Sequence, residues 1–233
     1  GEPIRDYHFR VRGPIVHEMQ YTFLRDWHFM SNEDASQLLC ERHFPLIPPS
    51  GQTLIRLVNG GPSSDVESLT DIYCAALAGA TDQVLLVTPY FVPPPDILRA
   101  MRLASLRGVN IKLLLPEIGN HPTVALAGRA FFEDLLNAGI EIYLRPPPLL
   151  HAKALVVDDK IAVVGTVNLD NRSLRLNYET AFTIFDEPFA NELKQIILED
   201  LAVSRCVDLV HWRNRPSGAR IRENMCALLA PVL

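Results

Sequence analysis

The stretch His151-Ala-Lys-Ala-Leu-Val-Val-Asp-Asp-Lys-Ile-Ala-Val-Val-Gly-Thr-Val-Asn-Leu-Asp-Asn-Arg-Ser173 is the most informative part of this 233-residue chain. Two apolar runs, 155–157 and 161–164, flank the charged triplet 158–160. Apolar, β-branched runs joined by a short polar turn are typical of β-hairpins. The stretch therefore predicts a hairpin whose strands belong to the protein core.

The spacing of polar residues predicts which side chains share a face of this hairpin. His151 and Lys153 are separated by one residue, so both side chains leave the first strand on the same side. A connecting loop with an even number of residues places Thr166 and Asn168 on that side as well, and we predict this register. The predicted face thus carries imidazole, ammonium, hydroxyl and carboxamide groups.

These groups are suited to binding and attacking a phosphodiester. Lys153 supplies positive charge, Thr166 and Asn168 supply hydrogen-bond donors, and Gly165 lets a substrate approach the backbone closely. His151 is the expected nucleophile, because imidazole has a reference pKa of about 6.5 and keeps an unprotonated nitrogen near neutral pH.

Two carboxylates complete the predicted catalytic set. Glu179 is expected to accept a hydrogen bond from the second ring nitrogen of His151 and so to fix its tautomer. Asp158 is expected to act in a supporting role at the turn, away from phosphorus. Arg172 and Arg175 follow the hairpin, and Arg172 is the stronger candidate for binding a lipid headgroup.

Strand and helix patterns alternate along the chain before this stretch. The predicted strands are 53–58, 83–88, 109–115 and 140–144. The predicted helices are 66–79, with Asp65 as the capping residue, 95–107 and 122–138, the last two followed by the capping glycines Gly108 and Gly139. Such alternation predicts an α/β fold with a largely parallel sheet covered on both faces.

Ligands of such sheets bind at the carboxyl ends of the strands. Loops 88–91, 117–121 and 146–150 are therefore expected to surround one crevice, with His151 at its entrance. Tyr90 and His121 lie in two of these loops and are candidate substrate-binding residues.

The N-terminal 48 residues are expected to form a unit distinct from the domain at 49–233. Residues 5–12 alternate like a strand, and a helix is expected from Ile15 to Phe29. Its apolar residues recur at helical spacing and predict one buried stripe, formed by Ile15, Met19, Phe23 and Trp27. The proline-rich segment 45–51 then predicts a linker.

Composition excludes several classes of protein. The formal net charge of -5 argues against general nucleic-acid binding, which depends on a basic excess. The four cysteines are widely spaced and lack the pattern of a metal site, so no metal or other cofactor is expected. The chain contains no apolar run of membrane-spanning length and no signal peptide pattern.

The sequence resembles the phospholipase D superfamily. His-x-Lys-x-x-x-x-Asp followed by Gly-Thr-x-Asn matches the family's HKD motif, with His151, Lys153, Asp158, Gly165 and Asn168 in place. The bacterial cardiolipin synthase branch is the most similar, through segments that include 88–93, 168–179 and 228–233. The resemblance implies a phospholipase D-like α-β-α sandwich with a mixed central sheet.

The same resemblance implies a metal-independent phosphatidyl transfer through a phosphohistidine at His151. It joins phosphatidylglycerol to a second glycerol-bearing lipid, so the expected partners are anionic phospholipids and a membrane surface. The implied location of the full-length protein is the bacterial cytoplasmic membrane, with this chain soluble or peripheral. Two alternatives stay open: a hydrolase that uses water as the acceptor, and a phosphate-binding half-domain without turnover.

One departure from the family pattern is important. Family members carry two HKD motifs, and only one is found here, while residues 5–14 resemble the segment that follows the first motif. Residues 1–48 are therefore interpreted as the tail of a preceding half-domain. The second histidine would serve as general acid and base, so the chain is expected to be inactive or weak unless a first half or a second copy of this chain supplies it.

Overall fold

The computed structural model describes residues 3–61 and 67–232. Its strands are β1 Ile4–Arg5, β2 Leu54–Gly60, β3 Gln83–Val87, β4 Phe91–Val92, β5 Asn110–Pro116, β6 Glu141–Arg145, β7 Leu149–Leu150, β8 Ala154–Val157, β9 Ile161–Gly165, β10 Leu169–Asp170, β11 Glu179–Phe185 and β12 Arg205–Cys206. Its helices are α1 Ile15–Ser31, α2 Ala35–Leu38, α3 Ser68–Gly79, α4 Pro95–Leu106, α5 Pro122–Arg129, α6 Phe132–Asn137, α7 Asn171–Arg175, α8 Glu187–Ala202, α9 Leu209–Arg213 and α10 Ser217–Ala227, followed by a 3-10 turn, Ala230–Val232.

An eight-stranded mixed sheet forms the centre of the fold, in the order β12-β6-β5-β3-β8-β9-β11-β2. Strands β3, β5 and β6 pair in parallel, as the predicted crossover helices require, and the other neighbours pair antiparallel. Strands β2, β3, β5, β6 and β9 consequently point in one direction, and β8, β11 and β12 point in the other. The predicted α/β class with a mixed central sheet is confirmed.

Helices cover both faces of the sheet. One face packs against α3, α4, α6 and α9, and the other packs mainly against α8 through Ala190, Leu193, Ile197 and Leu201. This is the α-β-α sandwich that the resemblance implied. Among the described residues, no helix combines the length and the apolar character that crossing a bilayer requires.

The predicted elements of the main domain are present with small changes at their ends. Gly108 and Gly139 have φ of +95° and +86°, the left-handed conformation of helix-capping glycines. The helix expected over 122–138 is divided into α5 and α6 at Ala130-Phe131. Helix α3 begins at Ser68, and its predicted capping residue Asp65 lies outside the described residues.

The N-terminal segment differs from its prediction in two respects. Only Ile4–Arg5 forms a strand, paired with β7, because residues 6–12 find no further partner strand among the described residues. Helix α1 spans the predicted range, but its apolar stripe is exposed: Met19, Phe23 and Trp27 are 39%, 57% and 46% accessible. The periodicity identified the helix correctly, while the described part of the chain provides no surface that buries this stripe.

Candidate active site

The predicted crevice forms where β3 ends and β8 begins. The two strands run antiparallel with Val87 opposite Ala154, so the loop after β3 and the residues before β8 emerge at the same edge. Tyr90 lies in that loop, and its ring centroid is 6.3 Å from the ring of His151. His121, just before α5, packs edge-on against Tyr90 at 5.4 Å. The structure therefore brings together the three aromatic rings that the topology rule placed at one edge.

His151 lies between a cation and a carboxylate. The Lys153 Nζ atom is 3.1 Å from Nδ1 and 3.3 Å from Nε2 of His151, and it donates a hydrogen bond to the His151 carbonyl at 2.6 Å. Asp6 Oδ2 is 3.3 Å from the same Nδ1 atom. The His151 side chain is 36% exposed, so a substrate can reach the imidazole.

Asp6 reaches this position because the backbone holds the N-terminal segment against the hairpin. β1 pairs in parallel with β7, and the His151 N–H donates to the Arg5 carbonyl at 2.8 Å. A carboxylate that accepts the Nδ1 proton leaves the Nε2 lone pair available for attack. Asp6 therefore occupies the orienting position that sequence analysis assigned to Glu179.

Glu179 makes different contacts. Its Oε1 accepts hydrogen bonds from Ser173 Oγ at 2.8 Å and from Asn177 Nδ2 at 3.3 Å. The prediction that Glu179 orients His151 is therefore wrong within this chain. The contacts position the Glu179 carboxylate beside the loop that carries Asn168.

Asn168 belongs to the same hydrogen-bond network. Its backbone N–H donates to Ser173 Oγ at 2.8 Å, and the Ser173 N–H donates to Asp170 Oδ1 at 2.7 Å. The side-chain Oδ1 of Asn168 is buried and has no hydrogen-bond partner among the described residues. Because rotation of the carboxamide exchanges oxygen and nitrogen, this position offers a donor or an acceptor to a ligand.

Burial makes the charges of this site costly to maintain. Desolvation lowers the pKa of Lys153, and the nearby carboxylates of Asp6, Glu179 and Asp170 oppose that effect only in part. Desolvation likewise raises the pKa of Asp170, despite the hydrogen bond from the Ser173 backbone. The Lys153 ammonium, partly removed from water, is the group of this site that attracts an anionic phosphate.

The hairpin register differs from the predicted one. Val157 pairs with Ile161, so the loop has three residues rather than an even number. Both Asp158 and Asp159 adopt left-handed conformations, with φ of 51° and 57°, and the Lys160 N–H donates to the Val157 carbonyl. Alternation along β9 puts Gly165, and not Thr166, on the face of Lys153, while Asn168 lies beyond the end of this strand.

Gly165 is required by packing inside the sheet. A Cβ at this position would lie 2.1 Å from the carbonyl oxygen of Thr180 on β11. Close approach of a neighbouring strand, rather than of a substrate, thus explains the glycine. Thr166 is bound to the same strand, because its Oγ1 accepts from the Thr180 N–H at 3.0 Å.

Asp158 lies at the opposite end of β8 from His151 and binds protein rather than substrate. Its carboxylate accepts hydrogen bonds from the N–H and hydroxyl of Thr81 and from the N–H groups of Asp82 and Gln83, at 2.8 to 3.0 Å. Partial burial raises the pKa of Asp158, but these donors outweigh burial and lower the pKa below its ordinary value. Asp158 therefore fastens the hairpin turn to the start of β3.

The two arginines after the hairpin have different surroundings. Arg172 is exposed and donates from Nε to Asn177 Oδ1 at 3.2 Å, beside the Glu179 network. Arg175 is held by two carboxylates, Glu67 at 3.1 Å and Asp96 at 3.0 Å. Arg172 stays a candidate for binding a headgroup, whereas Arg175 has a structural role.

A cavity of about 500 Å³ opens beside Lys153. Gly165 and Thr166 also line it, and its walls are mostly apolar, with contributions from Phe9, Met19, Ile55, Val164, Phe182 and Phe189. A cation in the wall of a mostly apolar cavity fits a ligand that joins a phosphate to hydrocarbon.

An internal sequence correspondence could have identified Asp6. Residues 6–11 read Asp-x-x-Phe-x-Val, and residues 179–184 on β11 read Glu-x-x-Phe-x-Ile. A helix follows each segment, α1 in the first case and α8 in the second. The two segments thus form a short internal repeat in which Asp6 corresponds to Glu179, and this signal was available in the sequence.

Comparison with known proteins identifies the family of this chain. Residues 73–201 match the family model described as "Cardiolipin synthase, PLD-like domain". The chain belongs to this family. The matched range contains the hairpin, the Glu179 network and most of the central sheet, and Asp6 lies outside it.

Curated relatives extend the similarity to nearly the whole chain. The major cardiolipin synthase ClsA of Bacillus subtilis (strain 168) is 37% identical over 229 residues, which are 98% of this chain and 47% of that protein. A cardiolipin synthase of Geobacillus thermodenitrificans (strain NG80-2) is 37% identical over 231 residues, 98% of this chain and 45% of that protein. The chain therefore spans about half the length of the curated relatives it matches.

Solved structures share the fold. The phospholipase D family member Nuc from Salmonella typhimurium has a TM-score of 0.58 at 20% identity and covers 67% of this chain and 99% of its own. A phosphatidylserine synthase from Haemophilus influenzae Rd KW20 has a TM-score of 0.62 at 14% identity and covers 80% of this chain and 49% of its own. At these identities the likeness concerns the fold alone.

Proposed function

We propose that this chain carries one half of the active site of a phosphatidyltransferase of the cardiolipin synthase type. The observation that carries the proposal is the contact of His151 with Lys153 and Asp6, both of which line the cavity. The relatives that match 98% of the chain are named cardiolipin synthases. The substrates would be phosphatidylglycerol and a second glycerol-bearing lipid.

In the first step, Nε2 of His151 attacks the phosphorus atom of phosphatidylglycerol. A P–N bond forms, the P–O bond to the terminal glycerol breaks, and the departing oxygen takes a proton to leave as glycerol. In the second step, a hydroxyl of the acceptor lipid loses its proton and attacks phosphorus. The P–O bond of cardiolipin then forms as the P–N bond breaks and His151 is regenerated.

The residues around His151 have separate tasks in this scheme. Asp6 holds the Nδ1 proton and stabilises the imidazole orientation, while Lys153 neutralises charge on the phosphate oxygens. Asn168 offers its unpartnered carboxamide to the same oxygens. The phosphate would lie between Lys153 and Asn168, with a lipid chain directed toward the cavity.

A second histidine is needed to protonate the leaving oxygen and to deprotonate the acceptor. It would come from a preceding half that carries a first HKD motif, or from a second copy of this chain. Glu179 would orient that histidine as Asp6 orients His151, since the two carboxylates occupy corresponding positions in the internal repeat. The complete enzyme would act at the bacterial cytoplasmic membrane, with this part of it peripheral.

The test is product analysis on phosphatidylglycerol vesicles, with and without a separately produced polypeptide bearing a first motif. Wild-type chain plus that polypeptide should release cardiolipin and glycerol, and mass spectrometry should find a phosphatidyl adduct on the His151 peptide. His151→Ala should abolish both. His43→Ala should not, because its imidazole Nδ1 contacts the Leu38 carbonyl away from the crevice.

The other outcomes separate the alternatives. Phosphatidic acid with glycerol, in place of cardiolipin, would identify a hydrolase that uses water. Phosphate-dependent thermal stabilisation without any adduct or product would identify a binding domain. Cardiolipin formed by His151→Ala at the wild-type rate would refute the assignment of the nucleophile.

A further inference from the structure

Helix α10 presents an apolar stripe to the outside of the molecule. Its inner face packs on α5 and contains the buried Glu223, which Arg215 contacts at 2.7 Å. On the outer side, Ile221, Met225 and Leu228 are 58%, 64% and 79% exposed. Spacings of four and three residues align these side chains in one row.

This arrangement is the reverse of a solvated surface helix. A helix that packs one face on a domain normally exposes polar side chains on the other. Here the packing face carries a buried charge, Glu223, which is paired with Arg215, and the outward face carries a row of apolar side chains. Contiguous exposed apolar surface of this kind indicates contact with another phase or molecule.

Positive charges border the stripe on both sides. Arg220 and Arg222 are the sequence neighbours of Ile221, so they project about 100° to either side of it around the helix axis. Both are exposed, and Arg213 on α9 is close enough to share one carboxylate, Glu133, with Arg220. This basic border belongs to a chain whose net charge is -5.

Helix α10 packs on elements that adjoin the crevice. Helix α5, on which α10 packs, begins directly after His121. Beyond α10, the 3-10 turn contacts α7, and the Pro231 carbonyl accepts a hydrogen bond from Asn171 Nδ2 at 2.6 Å. Helix α10 and the turn after it therefore pack on the helix that follows His121 and on the helix that carries Arg172.

We propose that the outer face of α10 is a membrane-docking surface for an anionic bilayer. Ile221, Met225 and Leu228 would enter the boundary between headgroups and acyl chains, and the flanking arginines would contact lipid phosphates. Docking would hold the crevice against the bilayer that supplies its substrate, so the proposal rests on the proposed function. The arginine border matches a lipid surface, where charge is spread over the plane, better than it matches a single apolar protein groove.

Vesicle flotation of the purified chain tests the proposal. We expect wild-type chain to bind phosphatidylcholine vesicles containing phosphatidylglycerol at least tenfold more strongly than vesicles of phosphatidylcholine alone. The triple change Ile221→Gln, Met225→Gln, Leu228→Gln should weaken binding at least tenfold. Arg220→Gln with Arg222→Gln should weaken it about thirtyfold at low salt and remove most of its salt dependence.

The matched control changes two exposed leucines on another helix. Leu103→Gln with Leu106→Gln, on α4, replaces side chains that are 50% and 75% exposed and should leave flotation unchanged. Equal loss in this control and in the α10 variant would refute a specific docking face. If the α10 variant bound vesicles as strongly as the wild-type chain, docking would also be refuted. Docking would likewise be refuted if the wild-type chain self-associated without vesicles and the α10 changes abolished that self-association.

A water-soluble lipid separates docking from chemistry at the crevice. Monomeric dihexanoyl-phosphatidylglycerol should stabilise the wild-type chain and the α10 variant equally against thermal unfolding, while Lys153→Ala should lose the stabilisation. If the α10 variant also lost this thermal stabilisation, the stripe would be needed for folding or for the crevice itself, and docking would be refuted. Flotation through α10 without any response to the soluble lipid would support docking and count against the proposed function.

Discussion

Asp6 and His151 form the contact on which the proposed chemistry most depends. Asp6 Oδ2 is 3.3 Å from Nδ1, so in the proposed scheme this carboxylate holds the Nδ1 proton and leaves Nε2 to attack. We expect Asp6→Asn to slow formation of the His151 adduct about 100-fold or more, because an amide can present a donor to Nδ1 and favour the wrong tautomer. An activated phosphodiester with a nitrophenolate leaving group allows the measurement without a general acid.

Asp71→Asn is the control for this prediction, since it removes an exposed carboxylate in the first turn of α3. Its adduct rate should equal that of the wild type. An unchanged rate in Asp6→Asn, with thermal unfolding also unchanged, would show that Asp6 does not position the nucleophile.

Asp158 has a different expected effect, on stability rather than on chemistry. Its carboxylate receives four hydrogen bonds from Thr81, Asp82 and Gln83. Asp158→Asn keeps the left-handed backbone that asparagine tolerates but loses the charge and one acceptor oxygen. We expect a decrease of about 2 kcal/mol in the free energy of unfolding, measured by urea denaturation.

Asp159→Asn provides the comparison, because Asp159 has a similar φ and its carboxylate forms an ion pair with Lys194. We expect it to cost less than about 1 kcal/mol. Equal losses in the two variants would mean that turn conformation, and not the contacts to β3, determines the importance of Asp158.

At the scale of the element, helix α5 and strand β4 are held unusually close. A Cβ on Gly128 would lie 2.3 Å from the Phe91 carbonyl, so the two elements must separate to admit it. Gly128→Ala should lower the free energy of unfolding by about 1–3 kcal/mol and move Tyr90 and His121, which lie next to these elements. Urea denaturation measures the first effect, and binding of the soluble lipid measures the second.

Gly79→Ala is the matched substitution, since a Cβ at the end of α3 meets nothing within 4 Å. It should be neutral or slightly stabilising, because alanine reduces the conformational freedom of the unfolded chain. Full stability of Gly128→Ala would show that α5 does not depend on this close approach.

The elements also show what sequence patterns determine. Helices, strands and glycine caps were predictable because they depend on local periodicity and on the residues that begin and end helices. The sequence did not predict which side chains share a face of the hairpin. That depends on whether Asp158 and Asp159 both adopt left-handed conformations, which the sequence does not determine. Burial of the α1 stripe was not predictable either, since burial depends on a partner surface and not on periodicity.

The site shows the same division between local and long-range information. His151 and Lys153 were identified from their spacing, and the structure brings them together with Tyr90 and His121. Asp6 is 145 residues away from His151, and its role depends on the pairing of β1 with β7. Tertiary pairing over such a distance has no local signature, although the internal repeat provides an indirect one.

At the scale of the whole molecule, Asp200 joins the N-terminal segment to the main domain. This carboxylate on α8 is 4% exposed and accepts hydrogen bonds from Arg5, Arg145 and Tyr7. Burial alone would raise the pKa of Asp200, but the three donors together lower it below its ordinary value. The cluster thus helps to hold β1, and with it Asp6, in register with the hairpin.

The pH dependence follows from the direction of this shift. Since the pKa is lower in the folded than in the unfolded chain, the stabilisation is complete above the unfolded value of about 3.9 and is lost as the pH falls through the folded value. Asp200→Asn should therefore cost about 3 kcal/mol at pH 7 and progressively less in acid. The comparison requires urea denaturation of both proteins from pH 7 down to the lowest pH at which both fold.

The same variant connects stability with the site. If the Asp200 cluster positions Asp6, Asp200→Asn should slow adduct formation on His151 at pH 7 under conditions in which the protein stays folded. Asp186→Asn, at the exposed N-cap of α8, removes a carboxylate from the same helix without touching Arg5 or Arg145. If Asp200→Asn lost the same stability at pH 7 and in acid, the predicted pH dependence would be wrong. A normal adduct rate in folded Asp200→Asn would show that the Asp200 cluster does not position the nucleophile.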